Sequence, residues 1–130
     1  MTHTILIIDD NPDDVEIAKI ILEQMDRKLK VETAPRGEVA LELLHTGKNL
    51  PSLILLDLKM PGMSGFDVLR KIRADVRLKH IPVIVTTASS LEADENASYE
   101  AGADAILHKA FDIDQFSNDM ETLLEGLLKN

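Results

Sequence analysis

The chain has 130 residues, 45% of them hydrophobic, which suits one domain around one core. Its formal net charge of −9 sets it against nucleic-acid phosphates and anionic membrane surfaces, and the absence of cysteine excludes a disulfide scaffold, a zinc–thiolate site and a thiol nucleophile. No apolar run approaches the roughly 18 to 20 residues that span a bilayer, and Met1-Thr2-His3-Thr4 enters a strand-like run without a signal-peptide layout, so a soluble, cytoplasmic protein is expected.

Short apolar runs alternate five times with stretches of helical period, the sequence form of a doubly wound parallel sheet. The first predicted strand, Thr4 to Asp9, is almost wholly apolar, as a strand covered on both faces must be, and belongs at the centre of the sheet. Asn11-Pro12 then supplies a helix cap and a first-turn proline, with Asp13 and Asp14 where the positive end of the helix dipole favours acids. The helix that follows turns Val15, Ile17, Ala18, Ile21, Leu22 and Met25 inward. A second strand, Lys30 to Ala34, carries charge and is assigned to an edge. Pro35-Arg36-Gly37 leads to a helix with Val39, Ala40, Leu43 and Leu44 inward, closing near Gly47. Pro51 precedes the third strand, Leu53 to Asp57, and the turn-rich Lys59-Met60-Pro61-Gly62-Met63-Ser64-Gly65 leads into a helix holding Phe66, Val68, Leu69 and Ile72. The fourth strand is predicted over Ile81 to Thr87, with Pro82 tolerable near its start. The fourth helix, Leu91 to Ala101, has few large apolar residues and many acids, and is the element expected to move. Gly102 fits its C-terminal turn, the fifth strand is Asp104 to Leu107, and the last helix, Ile113 to Leu128, sets Phe116, Met120, Leu123, Leu124 and Leu127 inward. One domain, residues 1–130, with no output domain is expected.

Four charged residues fall where apolar runs stop: Asp9 and Asp10 after the first, Asp57 after the third, and Lys109 just after Ala105-Ile106-Leu107. In a parallel sheet all four emerge at the carboxyl edge, where open α/β folds place their chemistry. Carboxylates that close repel unless neutralised, so the cluster asks for a divalent cation, and oxygen-only ligands favour a hard ion such as Mg²⁺. A solvated strand-end role accounts for any one of these residues about as well, but not for the set. The densest run of cations, Arg70, Lys71, Arg73, Arg77 and Lys79, has no aromatic residue interleaved for base stacking and reads as a solvated helix face and loop. Nucleic-acid binding by this chain alone is therefore not expected. The four histidines are scattered without ligand spacing.

Taken in order and at this spacing, Asp9-Asp10, Asp57 ahead of Met60-Pro61-Gly62-Met63-Ser64-Gly65, Thr87 ahead of Ala88, and Lys109 ahead of Ala110-Phe111 make the whole chain resemble a receiver domain of the two-component response regulators, and the single-domain, chemotaxis-regulator-like members in particular. The resemblance implies a flavodoxin-like (βα)₅ fold with strand order 2-1-3-4-5. It implies a phosphorylation-activated signalling switch that catalyses only its own phosphoryl transfer and dephosphorylation. The phosphoryl group would pass to Asp57 from a histidine of a sensor kinase or phosphotransfer protein. Mg²⁺ would be held by Asp10, Asp57 and the backbone carbonyl of Lys59, with Asp9 acting mainly through water. Thr87 would hydrogen-bond a phosphoryl oxygen, and Lys109 would pair with Asp57 before transfer and with the phosphoryl group afterwards. Thr86 should face the other way, unless the strand is shifted by one residue and the two threonines exchange roles. The readout, for an unidentified protein target, would be the surface of helix four, strand five and helix five, as a bias between states already present.

The chain departs from the family pattern at two places. Ile106 stands where most receivers carry an aromatic residue, and Ala110 stands where the family has proline after a cis peptide bond. A cis bond to a non-proline residue costs about 2.5 to 4 kcal/mol, so the Lys109–Ala110 bond is either strained or trans with a rearranged loop. Lys59 and Ser89 occupy the variable positions that flank the phosphoryl group in the family. A phosphorylation-independent receiver-like adaptor is the alternative reading. A haloacid-dehalogenase-type phosphohydrolase would resemble Asp-x-Asp at the first strand, whereas Asp9 is followed two places on by Asn11. A flavin phosphate would meet an acidic loop there.

Overall fold

The computed structural model describes residues 3–25, 27–88, 91–109 and 112–128. Five strands, β1 (His3–Ile8), β2 (Leu29–Ala34), β3 (Leu53–Asp57), β4 (Val83–Thr87) and β5 (Ala105–His108), alternate with five helices, α1 (Pro12–Gln24), α2 (Gly37–Thr46), α3 (Gly65–Ala74), α4 (Glu92–Ala101) and α5 (Ile113–Leu127). All strand pairs are parallel and the order is β2-β1-β3-β4-β5, the flavodoxin-like order expected.

Strand side chains alternate between faces, and that period sorts the core into two layers. Leu6 and Ile8 of β1, Ile54 and Leu56 of β3, and Val83 and Val85 of β4 pack with Ala40, Leu41 and Leu44 of α2 and Val68, Leu69 and Ile72 of α3. The intervening Ile5, Ile7, Leu53, Leu55 and Ile84 pack with Ala18, Ile21 and Leu22 of α1 and Phe116, Met120 and Leu124 of α5. β1 and β3 are covered on both faces, which is why their sequences are nearly unbroken apolar runs. β2 lies at an edge, with Lys30, Glu32 and Thr33 exposed.

Local chemistry sets the helix starts. Asn11 caps α1 by accepting from the N–H groups of Asp13 and Asp14, Ser64 caps α3 by accepting from Asp67, and Asp112 caps α5 by accepting from Asp114 and Gln115. Gly102 ends α4 in the left-handed region at φ 112°, and the N–H of Ala103 closes back on the Ser98 carbonyl at 3.0 Å. α4 buries only Ser98, whose hydroxyl donates to the Asp94 carbonyl at 2.8 Å; this helix has the thin apolar anchorage its sequence implied.

Several boundaries move by one or two residues. β1 starts at His3 and stops at Ile8, leaving Asp9 just past it, while β5 runs from Ala105 to His108. β4 starts at Val83, after Pro82, which has no N–H to give the ladder and contributes its carbonyl to Ile54 N–H at 2.9 Å. The inward stripe of α2 is Gly37, Ala40, Leu41 and Leu44, and Leu43 is exposed, contrary to the sequence reading. The i, i+3, i+4, i+7 spacing that begins at Gly37 selects Leu41 over Leu43. No helix among the described residues is long and apolar enough to cross a membrane.

Candidate functional site

The carboxyl edge of the sheet collects the charged residues and Thr87 from five segments. Asp9 and Asp10 follow β1, Asp57 ends β3, Thr87 ends β4, Lys109 follows β5, and Lys59 lies on the loop after β3. Asp10, Asn11, Asp14, Asp57, Lys59, Thr87, Leu91 and Lys109 line one open cleft. Thr86 points to the opposite face, into a small apolar cavity between α1 and α5 that includes Ile17, Phe116 and Met120, so the one-residue shift is not adopted. The Lys109–Ala110 bond and Ser89 lie outside the described residues. Ile106 packs toward the α2–α3 layer.

Two close backbone approaches position Lys109 and Asp57. The Lys109 N–H donates to the Thr87 carbonyl at 2.8 Å, tying the lysine to the end of β4. Behind Asp57, the start of α3 comes so close that a Cβ on Gly65 would lie 2.3 Å from the Asp57 carbonyl oxygen and 2.7 Å from Leu58 Cα. Only glycine fits there, a physical reason for the second glycine of the Met-Pro-Gly-Met-Ser-Gly loop.

Asp9 and Asp57 are buried and Asp10 is exposed, and carboxylate oxygens from all three lie within 4.8 Å of one another. The Lys109 ammonium reaches Asp14 Oδ2 at 2.9 Å, Asp9 Oδ2 at 3.0 Å and Asp57 Oδ1 at 3.4 Å. Asp9 also accepts from the Asn11 N–H at 3.0 Å. Burial pushes the Asp57 carboxyl up from 3.8 to about 6; Lys109 pulls the other way, Asp9 adds to the rise, and the Lys59 N–H lowers it. Burial outweighs the lysine here, and the ammonium lies closer to Asp14 and Asp9 than to Asp57. Burial alone would lower the Lys109 ammonium, but hydrogen bonds from it to Asp14 and Asp9 and the charges of Asp57 and Asp9 hold it above the ordinary lysine value.

Asp14 was legible in the sequence only as a favourable helix-dipole acid; its pairing with Lys109 was not foreseen. The available signal was its position. With Asn11 as cap, Asp14 is the third helical residue and stands in the first turn above the carboxyl edge.

Four carboxylates, against the two lysines Lys59 and Lys109, face this site, which therefore favours a cation. Oxygen donors from Asp9, Asp10 and Asp57 suit a hard divalent ion, so the residues present fit Mg²⁺ or a similar metal.

This fold and this acidic edge define a receiver, and the comparisons agree. The model of the response regulator receiver domain matches residues 5–121, and the chain belongs to that family. It is 35% identical over 121 residues to the chemotaxis protein CheY of Pseudomonas aeruginosa, covering 93% of this chain and 95% of that one. It is 33% identical over 125 residues to the response regulator Rre1 of Synechocystis, covering 96% of this chain but only 51% of Rre1, so it spans about half the length of that relative. Among solved structures it superposes on the phosphorylated cyanobacterial phytochrome response regulator RcpA with a TM-score of 0.91 at 28% identity, covering 99% of this chain and 96% of RcpA. The Mn²⁺-bound form of the response regulator Rcp1 matches with a TM-score of 0.87 at 28% identity, covering 98% of this chain and 96% of Rcp1.

Proposed function

We propose that the chain is a phosphorylation-activated switch in which Asp57 accepts a phosphoryl group from a histidine of a sensor kinase or phosphotransfer protein. The observation that carries this reading is a buried carboxylate at the head of an open cleft, with two further carboxylates within 4.8 Å and a lysine ammonium at 3.4 Å. Asp10, Asp57 and the Lys59 carbonyl would hold Mg²⁺, with Asp9 beside them. When bound, Mg²⁺ screens the repulsion between carboxylate and phosphoryl anion and stabilises charge on the transferring oxygens. An Asp57 oxygen attacks phosphorus as the P–N bond to the donor histidine breaks, its electron pair returning to the imidazole. Lys109 then pairs with the phosphoryl group, and Thr87, on the same cleft, donates to one of its oxygens; a hydrogen bond to a charged group is worth about 1.5 to 3 kcal/mol. The new group adds about −1.5 to −2 charges at one carboxylate, and the inward pull on Thr87 passes to the segment leading to α4. The α4–β5–α5 surface, where Leu91 and Tyr99 are exposed, is the face offered to a downstream protein. No nucleic acid enters this reading.

The test is intact mass after incubation with Mg²⁺ and acetyl phosphate or phosphoramidate. A gain of about 80 Da, one phosphoryl group, that disappears in Asp57→Asn and with excess chelator supports the reading. No gain, with fluoroberyllate also failing to bind, sinks it and favours a phosphorylation-independent adaptor.

A further inference from the structure

We propose that Asp14 is a positioning residue that holds the Lys109 ammonium on the α1 side of the cleft and so sets how much of that charge reaches the group on Asp57. The inference rests on Asp57 being the phosphoryl acceptor.

A lysine ammonium has three protons to give, and three carboxylates surround this one. The nearest is Asp14 at 2.9 Å, Asp9 follows at 3.0 Å, and Asp57 is farthest at 3.4 Å. Lys109 therefore leans away from the residue it is meant to serve. Of the two competitors, Asp9 belongs to the triplet of carboxylates that converge within 4.8 Å, and a cation held there draws on its charge. Asp14 lies outside that triplet and keeps its charge for Lys109 in either state.

The local structure makes Asp14 available for this. A third helical residue of its kind commonly reaches back to the N–H of its own cap residue. In this chain the Asn11 N–H is already taken by Asp9 Oδ1 at 3.0 Å, and the Asn11 side chain caps Asp13 and Asp14 N–H at 2.9 and 3.2 Å. The Asp14 carboxylate, with no cap to serve, turns to Lys109. Both backbones are anchored, Asp14 by the helix cap and Lys109 by its bond to Thr87, so the pair parts by side-chain rotation and not by backbone movement. To reach a phosphoryl group it must leave Asp14, and the cost of that exchange opposes the phosphorylated state. The Asp14 side chain is 35% exposed, which limits the effect through solvent screening.

The experiment measures fluoroberyllate affinity in excess Mg²⁺ by fluorine NMR for the wild type, Asp14→Asn, Asp13→Asn, Lys109→Met and Asp14→Asn with Lys109→Met. Asp13→Asn removes the same charge one residue away from a side chain that is not among the partners of Lys109. Asp14→Asn is expected to tighten binding about threefold to tenfold, Asp13→Asn by less than about twofold, and the effect of Asp14→Asn to vanish once Lys109 is Met. Equal tightening by Asp13→Asn, persistence without Lys109, or weakening by Asp14→Asn overturns the proposal. A second readout needs no phosphoryl mimic: the Lys109 ammonium protons, followed through their ¹⁵N resonance, should exchange faster in Asp14→Asn than in the wild type, and not in Asp13→Asn. If that shift occurs but wild type takes no fluoroberyllate, the pairing stands and the acceptor reading of Asp57 fails. If wild type binds and Asp14→Asn changes neither measurement, the role of Asp14 fails alone.

Discussion

Replacing Asp57 with Asn should stabilise the metal-free protein by an amount that depends on pH. The carboxyl moves from 3.8 in the unfolded chain to about 6 in the folded one, mainly through burial. The folded state therefore holds its proton where the unfolded state has lost it, and stability falls as pH rises between those two values. Above the folded value the whole penalty is present, and below the unfolded value none of it is. At about 1.4 kcal/mol per pH unit the penalty is about 3 kcal/mol. Asn keeps the shape and carries no charge to desolvate, while Lys109 keeps Asp9 and Asp14 at 3.0 and 2.9 Å and is not orphaned. The assay is urea unfolding followed by circular dichroism, since the chain has no tryptophan, with chelator present and both proteins measured across the acid range. Near neutrality the variant should gain about 3 kcal/mol, or roughly 10 °C in Tm, and the gap should close by about pH 4. Adding Mg²⁺ should also narrow it, because the ion binds the ionised wild-type site more tightly. A gain that is constant with pH would place its origin in packing, and no gain would refute the burial argument altogether.

Three further outcomes follow from the geometry. Arg73→Ala should destabilise by about 2 to 4 kcal/mol in urea unfolding without altering the chemistry of the cleft, because its guanidinium bonds the carbonyls of Gly102, Lys79 and Ile81 and the Asp104 carboxylate. Gly65→Ala gains a helix-propensity benefit of about 0.5 to 1 kcal/mol but places a Cβ 2.3 Å from the Asp57 carbonyl oxygen, so the clash wins; unfolding should show a net loss of about 1 to 3 kcal/mol, and phosphoryl uptake should slow as Asp57 shifts. The Asp75 carboxyl is held below its usual value by the Arg77 N–H and then by His45, so its stabilisation is present above 3.8 and lost as pH falls through the lowered value. Asp75→Asn should accordingly be less stable than wild type near neutrality and indistinguishable in strong acid by the same unfolding assay.

The sheet was legible because buried parallel strands leave an unmistakable trace: Ile5 to Ile8 and Leu53 to Leu56 admit no polar residue, so the first charge after each marks the carboxyl edge. That rule located Asp9, Asp10, Asp57 and Lys109 without any contact being known. Helix faces were less determinate. In α2, Leu41 and Leu43 are chemically equal and lie two places apart, so the choice of stripe turned on Gly37, whose close packing against Val68 of α3 no local pattern reveals. Asp14 and Arg73 were missed for a different reason. Each meets partners far away in sequence, Lys109 in one case and Gly102 and Asp104 in the other, and a single sequence records those meetings only through a topology that must be assumed first.

The two edges of the sheet differ in how their charges are balanced. At the amino edge Arg73 neutralises Asp104 at 2.8 Å, and Asp104 also accepts from the Val83 N–H at 2.8 Å, so the charges there are matched and cross-linked to backbone. At the carboxyl edge three carboxylates share the Lys109 ammonium and Asp10 stands beside them, and the excess negative charge makes that edge attractive to a cation. α4 runs between the two regimes. Its C-terminus is fixed by the Gly102 turn and by Arg73 on the Gly102 carbonyl at 2.9 Å, whereas its N-terminus starts at Leu91 on the cleft with no side-chain cap. The His108–Glu95 pair at 3.0 Å links its first half to β5, but that pair is solvent-exposed and contributes little. A change at Thr87 should therefore swing α4 about Gly102, with its first turn moving most. Amide exchange should be faster over residues 92–96 than over 98–101, and phosphoryl mimicry should alter the first group more. Uniform protection along the helix would mean that α4 moves as a body, and the Gly102 turn would not be its pivot.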